Sequence, residues 1–273
     1  MEQDLNVKYE NLRRSLEKAG SLAVAFSRGV DSTFLLRAAY DALGDRVLAV
    51  TVDSDSFPAI EMDAAVDFCR EAGIQHATVK ADQMAIEGFR SNRPDRCYHC
   101  KKGVFKKVYE EAARRGIRTV ADGTNADDLG TYRPGLKALR ELGVKSPLAE
   151  NGLSKQDIRA LSRELGLPTW NKPSYACLAT RFPYHEPITK EKLKIVEEAE
   201  RFLIDRGFSQ MRVRVHGPVA RIEVPAEDLG RLLEPAVRKA VSGKLHGLGF
   251  DYVTMDLDGF RSGSMDENTE DKK

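Results

Sequence analysis

The stretch Leu22-Ala23-Val24-Ala25-Phe26-Ser27-Arg28-Gly29-Val30-Asp31-Ser32-Thr33 decides the fold. Its first five residues are a short continuous apolar run, the pattern of a strand buried on both faces. Ser27 to Thr33 form a hydroxyl-rich loop, and a helical pattern follows as far as Leu43-Gly44. A loop from a buried strand into a helix gathers backbone N–H groups and the positive helix end around one point, which suits an anion. Ser27, Ser32 and Thr33 add hydroxyl donors. The bland alternative is an ordinary strand-to-helix turn with a Ser/Asp cap.

The alternation continues on both sides. Upstream, Leu5, Tyr9, Leu12 and Leu16 keep a helical face that Gly20 ends. Downstream, Arg46 to Val52 is a second strand, and Met62, Ala65, Val66 and Cys69 fall at helical spacing. Ala77-Thr78-Val79 is a third, weaker strand, Val104, Val108, Tyr109 and Ala112 mark a helix, and Ile117 to Ala121 is a fourth strand. Strands alternating with helices predict an α/β fold with a doubly wound parallel sheet. Ser154 and Asp157 form a capping box that opens a helix closed by Gly166 and Pro168.

Between Leu167 and Pro187 the periodicity disappears and prolines accumulate, which places a linker there. Beyond it, a helix is expected from about Thr189 to Arg206. Met211, Val213 and Val215 alternate with Arg212, Arg214 and His216, and Ala220, Ile222 and Val224 alternate with Arg221 and Glu223. These read as strands of a smaller α+β domain with charge on their open face. The expected division is residues 1–166 for the α/β domain, 167–188 for the linker, 189–264 for the second domain and 265–273 for a polar, disordered tail.

Composition excludes several classes. The 43 Lys and Arg against 42 Asp and Glu leave a formal charge of +1, which argues against a globally basic nucleic-acid binder. No apolar run approaches the ~18 residues of a membrane span. The acidic start, Met1-Glu2-Gln3-Asp4, lacks an apolar signal core, so a cytoplasmic location is expected. Four cysteines in 273 residues are no disulfide scaffold, and clustered cysteines in a reducing compartment point to metal or redox chemistry.

Cys97-Tyr98-His99-Cys100 is such a cluster, in a segment that reads as irregular, and Cys177 lies in the linker. Three cysteines suit a 4Fe-4S cluster with one iron left open. With His99, His76 or His185 they equally suit structural zinc, and unligated thiols are the third possibility. Cys69 belongs to an apolar helical face and reads as a buried hydrophobe. Arg90, Arg93, Arg96, Lys101, Lys102, Lys106 and Lys107 crowd around the C-x-x-C and favour thiolates there.

Ser27 to Thr33 resemble the PP-loop, S-G-G-x-D-S-S/T, of the ATP pyrophosphatases, which cleave ATP between the α and β phosphates and pass AMP to an acceptor. The resemblance makes Ser27, Arg28, Gly29, Val30, Asp31, Ser32 and Thr33 the ATP-phosphate loop, with Asp31 and Ser32 at the chemistry. The loop is not a Walker A motif, because the G-K-S/T ending is missing. Arg28 stands where the pattern has glycine; if that position needs a positive φ, the substitution costs about 1 kcal/mol or more. Thr51-Val52-Asp53 matches the segment where the family holds adenine. Asp122-Gly123-Thr124-Asn125-Ala126-Asp127-Asp128 resembles its second nucleotide loop, and these carboxylates suit the Mg²⁺ of a triphosphate.

The ordered set of motifs is narrower. It comprises the PP-loop, Gly123 to Asp128, Tyr132-Arg133-Pro134-Gly135, Ser146-Pro147-Leu148, Pro173 to Arg181, Arg212 to Gly217 and Asp256 to Ser264. Together they resemble the LarE family of sulfur insertases. That resemblance implies adenylation of the carboxylates of a pyridinium biscarboxylate mononucleotide, followed by sulfur attack on the acyl carbon. It makes Cys177 catalytic and, in the three-cysteine type seen here, Cys97, Cys100 and Cys177 the ligands of a 4Fe-4S cluster that presents an extra sulfide. It places Arg181, Glu200, Arg212, Arg214, Glu223 and Arg261 around the substrate, with Arg212, Arg214 and Arg261 clamping its phosphate. It also implies a homo-oligomer, a hexamer. Solvated charge and cross-strand ion pairs are the bland reading of the same side chains. Transfer-RNA thiolation by a PP-loop enzyme is the competing function, opposed by the +1 charge and the lack of an RNA-binding module.

Overall fold

The fold is described from a computed structural model over residues 2–130, 134–173, 176–261 and 264–265. Tyr132-Arg133, Ser174-Tyr175, Ser262-Gly263 and the polar tail from residue 266 onward lie outside the described residues. Two compact units result: Met1–Phe89 with Asp95–Tyr175, and Arg90–Pro94 with Ala176–Lys273. Among the described residues no helix is long and apolar enough to cross a membrane.

The first unit runs α1 (Glu2–Ala19), β1 (Leu22–Ala25), α2 (Val30–Leu43), β2 (Val47–Asp53), α3 (Ala59–Glu71), β3 (Gln75–Lys80), α4 (Glu87–Arg90), α5 (Arg96–Arg114), β4 (Val120–Ala121), α6 (Pro134–Glu141), α7 (Pro147–Glu150) and α8 (Lys155–Glu164). Its four strands form a parallel sheet in the order β3-β2-β1-β4, with Val24 opposite Ala49 and Ala121. The apolar run of β1 explains the two layers of helices. Leu22 and Val24 enter a core with Leu12, Phe34 and Leu35, whereas Ala23 enters a core on the other face with Phe105, Val108 and Leu139. β2 alternates likewise, Val47 and Ala49 against Leu48 and Val50. Each fully buried Leu or Phe contributes roughly 1.5–3 kcal/mol, so the sheet is held from both sides.

The α/β reading therefore stands, with local adjustments. The fourth strand is only Val120–Ala121, because Ile117 N donates back to Ala112 O at the end of α5 and not to the sheet. The C-x-x-C is not irregular: Cys97 and Cys100 sit in the first turn of α5, where Tyr98 N donates to Asp95 O at 2.9 Å. That turn has a polar sequence, so no apolar period announces it. Ser154 and Asp157 make both hydrogen bonds of the capping box at the start of α8.

The second unit runs α9 (Lys190–Ile204), β5 (Arg212–His216), β6 (Val219–Glu223), α10 (Leu229–Leu233), α11 (Pro235–Gly247) and β7 (Tyr252–Met255). Thr189 caps α9 by accepting from Lys192 N. The sheet order is β5-β6-β7, with β5 antiparallel and β7 parallel to β6. Residues 90–94 join this unit through backbone hydrogen bonds: His185 N donates to Asn92 O and Ile188 N to Arg90 O, both at 2.9 Å. The expected open charged face is absent on β5, since Arg212 and Arg214 are 3% and 4% exposed. Carboxylate, carbonyl and aromatic partners cover them, as described below.

Candidate functional site

The loops after β1, β2 and β4 all leave the carboxyl ends of parallel strands, where an open α/β sheet presents a crevice. α2 is preceded by Gly29, an extended N-cap residue, with no side-chain cap, unlike α8 and α9. Ser27 Oγ and Ser32 Oγ lie 3.2 Å apart, and Ser32 Oγ donates to Gly29 O. Val30 anchors the loop by entering the core. Three buried polar atoms here have no hydrogen-bond partner among the described residues: Arg28 Nε, Asp31 Oδ1 and Thr33 Oγ1. Buried donors and acceptors without partners are costly, and their concentration at an uncapped helix start fits a polar, charged ligand.

Asp31 Oδ2 accepts from Lys155 Nζ at 2.6 Å. Burial raises the Asp31 carboxyl above its ordinary value, and Lys155 opposes that shift. Arg28 has φ 54°, so the position does require the left-handed region that glycine enters freely. Lys172 Nζ donates to Arg28 O at 3.1 Å and to the Glu61 carboxylate.

The second loop touches the first. A Cβ on Gly123 would stand 2.9 Å from Ser32 N and 3.2 Å from the Asp31 carbonyl carbon, so this close approach admits only glycine. Asp122 organises the turn by accepting from Thr124 Oγ1 at 2.6 Å and Ser146 Oγ at 2.8 Å. Asn125 Oδ1 accepts from Asp127 N, Asp127 Oδ2 from Lys155 N, and Asp128 Oδ2 from Asn125 N. Lys155 thus connects both loops. Asp53 ends β2 with an exposed side chain.

On α5 the i, i+3 spacing sets Cys97 and Cys100 on one face of the first turn, Cys97 exposed and Cys100 half-buried. Buried Gln83 donates its amide to Cys100 Sγ at 3.0 Å, and Ser56 N donates to Gln83 Oε1. His99 Nε2 lies 3.1 Å from Asp95, and Lys102 lies 2.7 Å from Glu141 and 4.7 Å from the Tyr98 ring centroid. Among the described residues, no three His, Cys, Asp or Glu side chains converge on a metal position. Cys69 is buried, and desolvation pushes its thiol to about 12.

In the second unit Cys177 is exposed at the head of a short turn, Leu178–Arg181. Arg181, its side chain 1% exposed, braces that turn. Its Nη1 donates to Ala176 O, Cys177 O and Thr180 Oγ1, while Nε and Nη2 grip Glu200. Glu200 also accepts from Val213 N at 2.9 Å. Arg214 donates to Glu223 through Nε and Nη2 and to Thr180 O through Nη1. Arg212 lies over the Phe260 ring, and Arg261 pairs with Asp256 and Asp258. Arg221 and Ser264 complete the ring around Glu223. The structure brings Arg181, Glu200, Arg214 and Glu223 together with the Cys177 turn, all in one network. Glu61, Gln83, Lys155 and Lys172 escaped the sequence reading; no local pattern marks them, since each acts through a partner distant in the chain.

No family model matches the chain. It is 40% identical over 261 residues to an uncharacterized protein of Synechocystis sp., covering 96% of this chain and 97% of that one. It is 39% identical over 264 residues to the pyridinium-3,5-bisthiocarboxylic acid mononucleotide synthase of Lactiplantibacillus plantarum, covering 96% and 95%. It is 31% identical over 211 residues to a subunit of the glutamine-hydrolyzing GMP synthase of Thermoplasma acidophilum, covering 71% and 66%.

Proposed function

The chain belongs to the LarE family of pyridinium-3,5-bisthiocarboxylic acid mononucleotide synthases, sulfur transferases of the PP-loop ATP pyrophosphatase type, and from that premise we propose how its residues divide the reaction. The substrate is a pyridinium-3,5-biscarboxylic acid mononucleotide. A substrate carboxylate oxygen attacks the α phosphorus of ATP, and pyrophosphate leaves. The acyl adenylate then accepts a sulfur nucleophile at its carbonyl carbon, and AMP departs with the former carboxylate oxygen. The observation that carries this reading is the nearly full-length likeness to the Lactiplantibacillus synthase, in a chain whose phosphate loop holds the unpartnered buried atoms Arg28 Nε, Asp31 Oδ1 and Thr33 Oγ1.

The nucleotide side is Ser27 to Thr33, Asp53, and Gly123, Thr124, Asn125, Asp127 and Asp128. Their N–H groups and hydroxyls hold phosphate, and Asp31, whose Oδ1 lacks a partner, takes the Mg²⁺ that arrives with the triphosphate. The substrate side is Arg181, Glu200, Arg212, Arg214, Glu223 and Arg261. Arg181 orients the Cys177 turn, whereas Arg212, Arg214 and Arg261 supply the positive charge for the substrate phosphate. Residues 1–166 serve ATP, 189–264 serve the substrate, and the linker 167–188 carries Cys177. A cytoplasmic homo-oligomer, hexameric by family resemblance, is the expected assembly.

We read Cys97, Cys100 and Cys177 as ligands of a 4Fe-4S cluster, zinc being the alternative. Two thiols on one face of a helical turn, Cys97 exposed and Cys100 half-buried and already accepting an amide N–H, suit sulfur ligation of iron. When bound, the cluster supplies sulfide at its open iron. The second reading rests on the exposure of Cys177 at the head of a turn that Arg181 braces: its own sulfur attacks the acyl adenylate, and β-elimination leaves dehydroalanine.

Anaerobically prepared protein given Mg-ATP and the biscarboxylate mononucleotide should release AMP and pyrophosphate and form thiocarboxylates. Release of ADP and orthophosphate would sink the adenylation reading. Iron and sulfide analysis, with the mass of the reacted chain, separates the sulfur sources: turnover with Cys177 intact supports the cluster, and one product per chain with dehydroalanine at 177 supports sacrifice.

A further inference from the structure

The phosphate loop contains a conformational conflict and, beside it, a device that resolves it. Arg28 is a non-glycine residue at φ 54°. An L side chain resists that region, so the turn needs support from outside the loop. The support stands 144 residues away: Lys172 Nζ donates to the Arg28 carbonyl at 3.1 Å while it pairs with the Glu61 carboxylate. The Lys172 and Glu61 side chains are 14% and 10% exposed. Two charges taken so far out of water are a poor stability device by themselves, because desolvation offsets much of their attraction. Burial, aided by the charge of Arg28, pushes the Lys172 ammonium down, and Glu61 opposes the shift.

The pair does specify a direction. The Arg28–Gly29 peptide is trans, so its C=O and N–H point opposite ways. A carbonyl held toward Lys172 turns the Gly29 N–H the other way, at the start of the uncapped α2. Lys172 is itself restrained, since Arg159 donates to Lys172 O at 2.9 Å and to Trp170 O at 2.7 Å.

We propose that Lys172, anchored on Glu61, is a positioning residue for the phosphate loop: by holding the Arg28 carbonyl it fixes the left-handed turn that aims the Gly29 N–H at the phosphates of ATP. The proposal rests on the ATP reading above. It also explains how a PP-loop tolerates arginine at a glycine position, the tether doing what glycine's freedom does elsewhere.

The test is a double-mutant cycle on the full chain with wild type, Lys172→Met, Arg28→Gly and both together. Mg-ATP affinity is measured by calorimetry, and amide hydrogen exchange at Thr33, whose N–H donates to Gly29 O at 3.0 Å, is measured without ligand. Lys172→Met should weaken Mg-ATP about tenfold when Arg28 is present and speed exchange at Thr33. After Arg28→Gly, the same change should cost less than about threefold, because glycine enters the turn unaided. Equal losses in both backgrounds, or none in either, overturn the tether. Should Lys172→Met fail to fold, the charge-balanced Lys172→Met/Glu61→Gln pair replaces it in the same cycle. Wild type that binds no ATP would overturn the nucleotide reading, while the exchange at Thr33 still decides the tether.

Discussion

Arg181 and Glu200 meet in a two-pronged ion pair, Nε to Oε1 at 2.7 Å and Nη2 to Oε2 at 2.8 Å, with side chains 1% and 7% exposed. The pair ties the turn that presents Cys177 to α9, and through Val213 N to β5. A charge pair this deep is fragile to single changes. Removing the guanidinium leaves the buried Glu200 carboxylate without the two charged hydrogen bonds that hold it.

Arg181→Ala should therefore destabilise the second unit by about 3–5 kcal/mol, measured by urea unfolding. Arg181→Ala/Glu200→Leu should recover part of that loss, because neither charge remains. A single-variant loss below about 1 kcal/mol would show that the pair does not hold the turn.

Gly123→Ala should fold and fail at the nucleotide. The added methyl meets backbone at Ser32 N, so one of the two loops must move. Pyrophosphate release should fall about tenfold or more, a displacement of catalytic groups being costly even when small. Unchanged release would place the two loops farther apart than the structure has them.

Asp31→Asn should raise stability and abolish activity. Burial raises the carboxyl above 3.8, so the folded chain holds that proton more tightly than the unfolded one. Its favourable contribution is complete below 3.8 and is lost as pH rises through the folded value. Near neutral pH the ligand-free variant should melt about 2–4 °C above wild type for each kcal/mol of relief. The gap should close as the medium is acidified toward 3.8. A gap that is constant with pH, or of opposite sign, refutes this account of Asp31.

Thiol alkylation of metal-free native protein near pH 8 should modify Cys97 and Cys177 quickly, Cys100 more slowly and Cys69 only after unfolding. Exposure orders the first three, and the buried Cys69 thiol at about 12 has almost no thiolate. Early labelling of Cys69 in peptide maps would contradict its place in the core.

Local patterns carried much of this architecture. The apolar run Leu22 to Phe26 sufficed for a strand covered on both faces, because successive side chains of a strand point to opposite faces and an unbroken apolar run therefore needs cover on each. The Ser27 to Thr33 loop and the Ser154 to Asp157 capping box were equally legible, since their hydrogen bonds close within a few residues. Folding alone decided what pairs with what. The alternation of Arg212 and Arg214 with valines matches a solvated strand face, yet Glu223, Thr180 and Phe260 bury them. Lys172 meets Glu61 across 111 residues, and Gln83 reaches Cys100 from a separate loop. Periodicity reports which side of an element is apolar, but a buried charge survives only beside its partner. That partner's identity depends on the path of the chain through space.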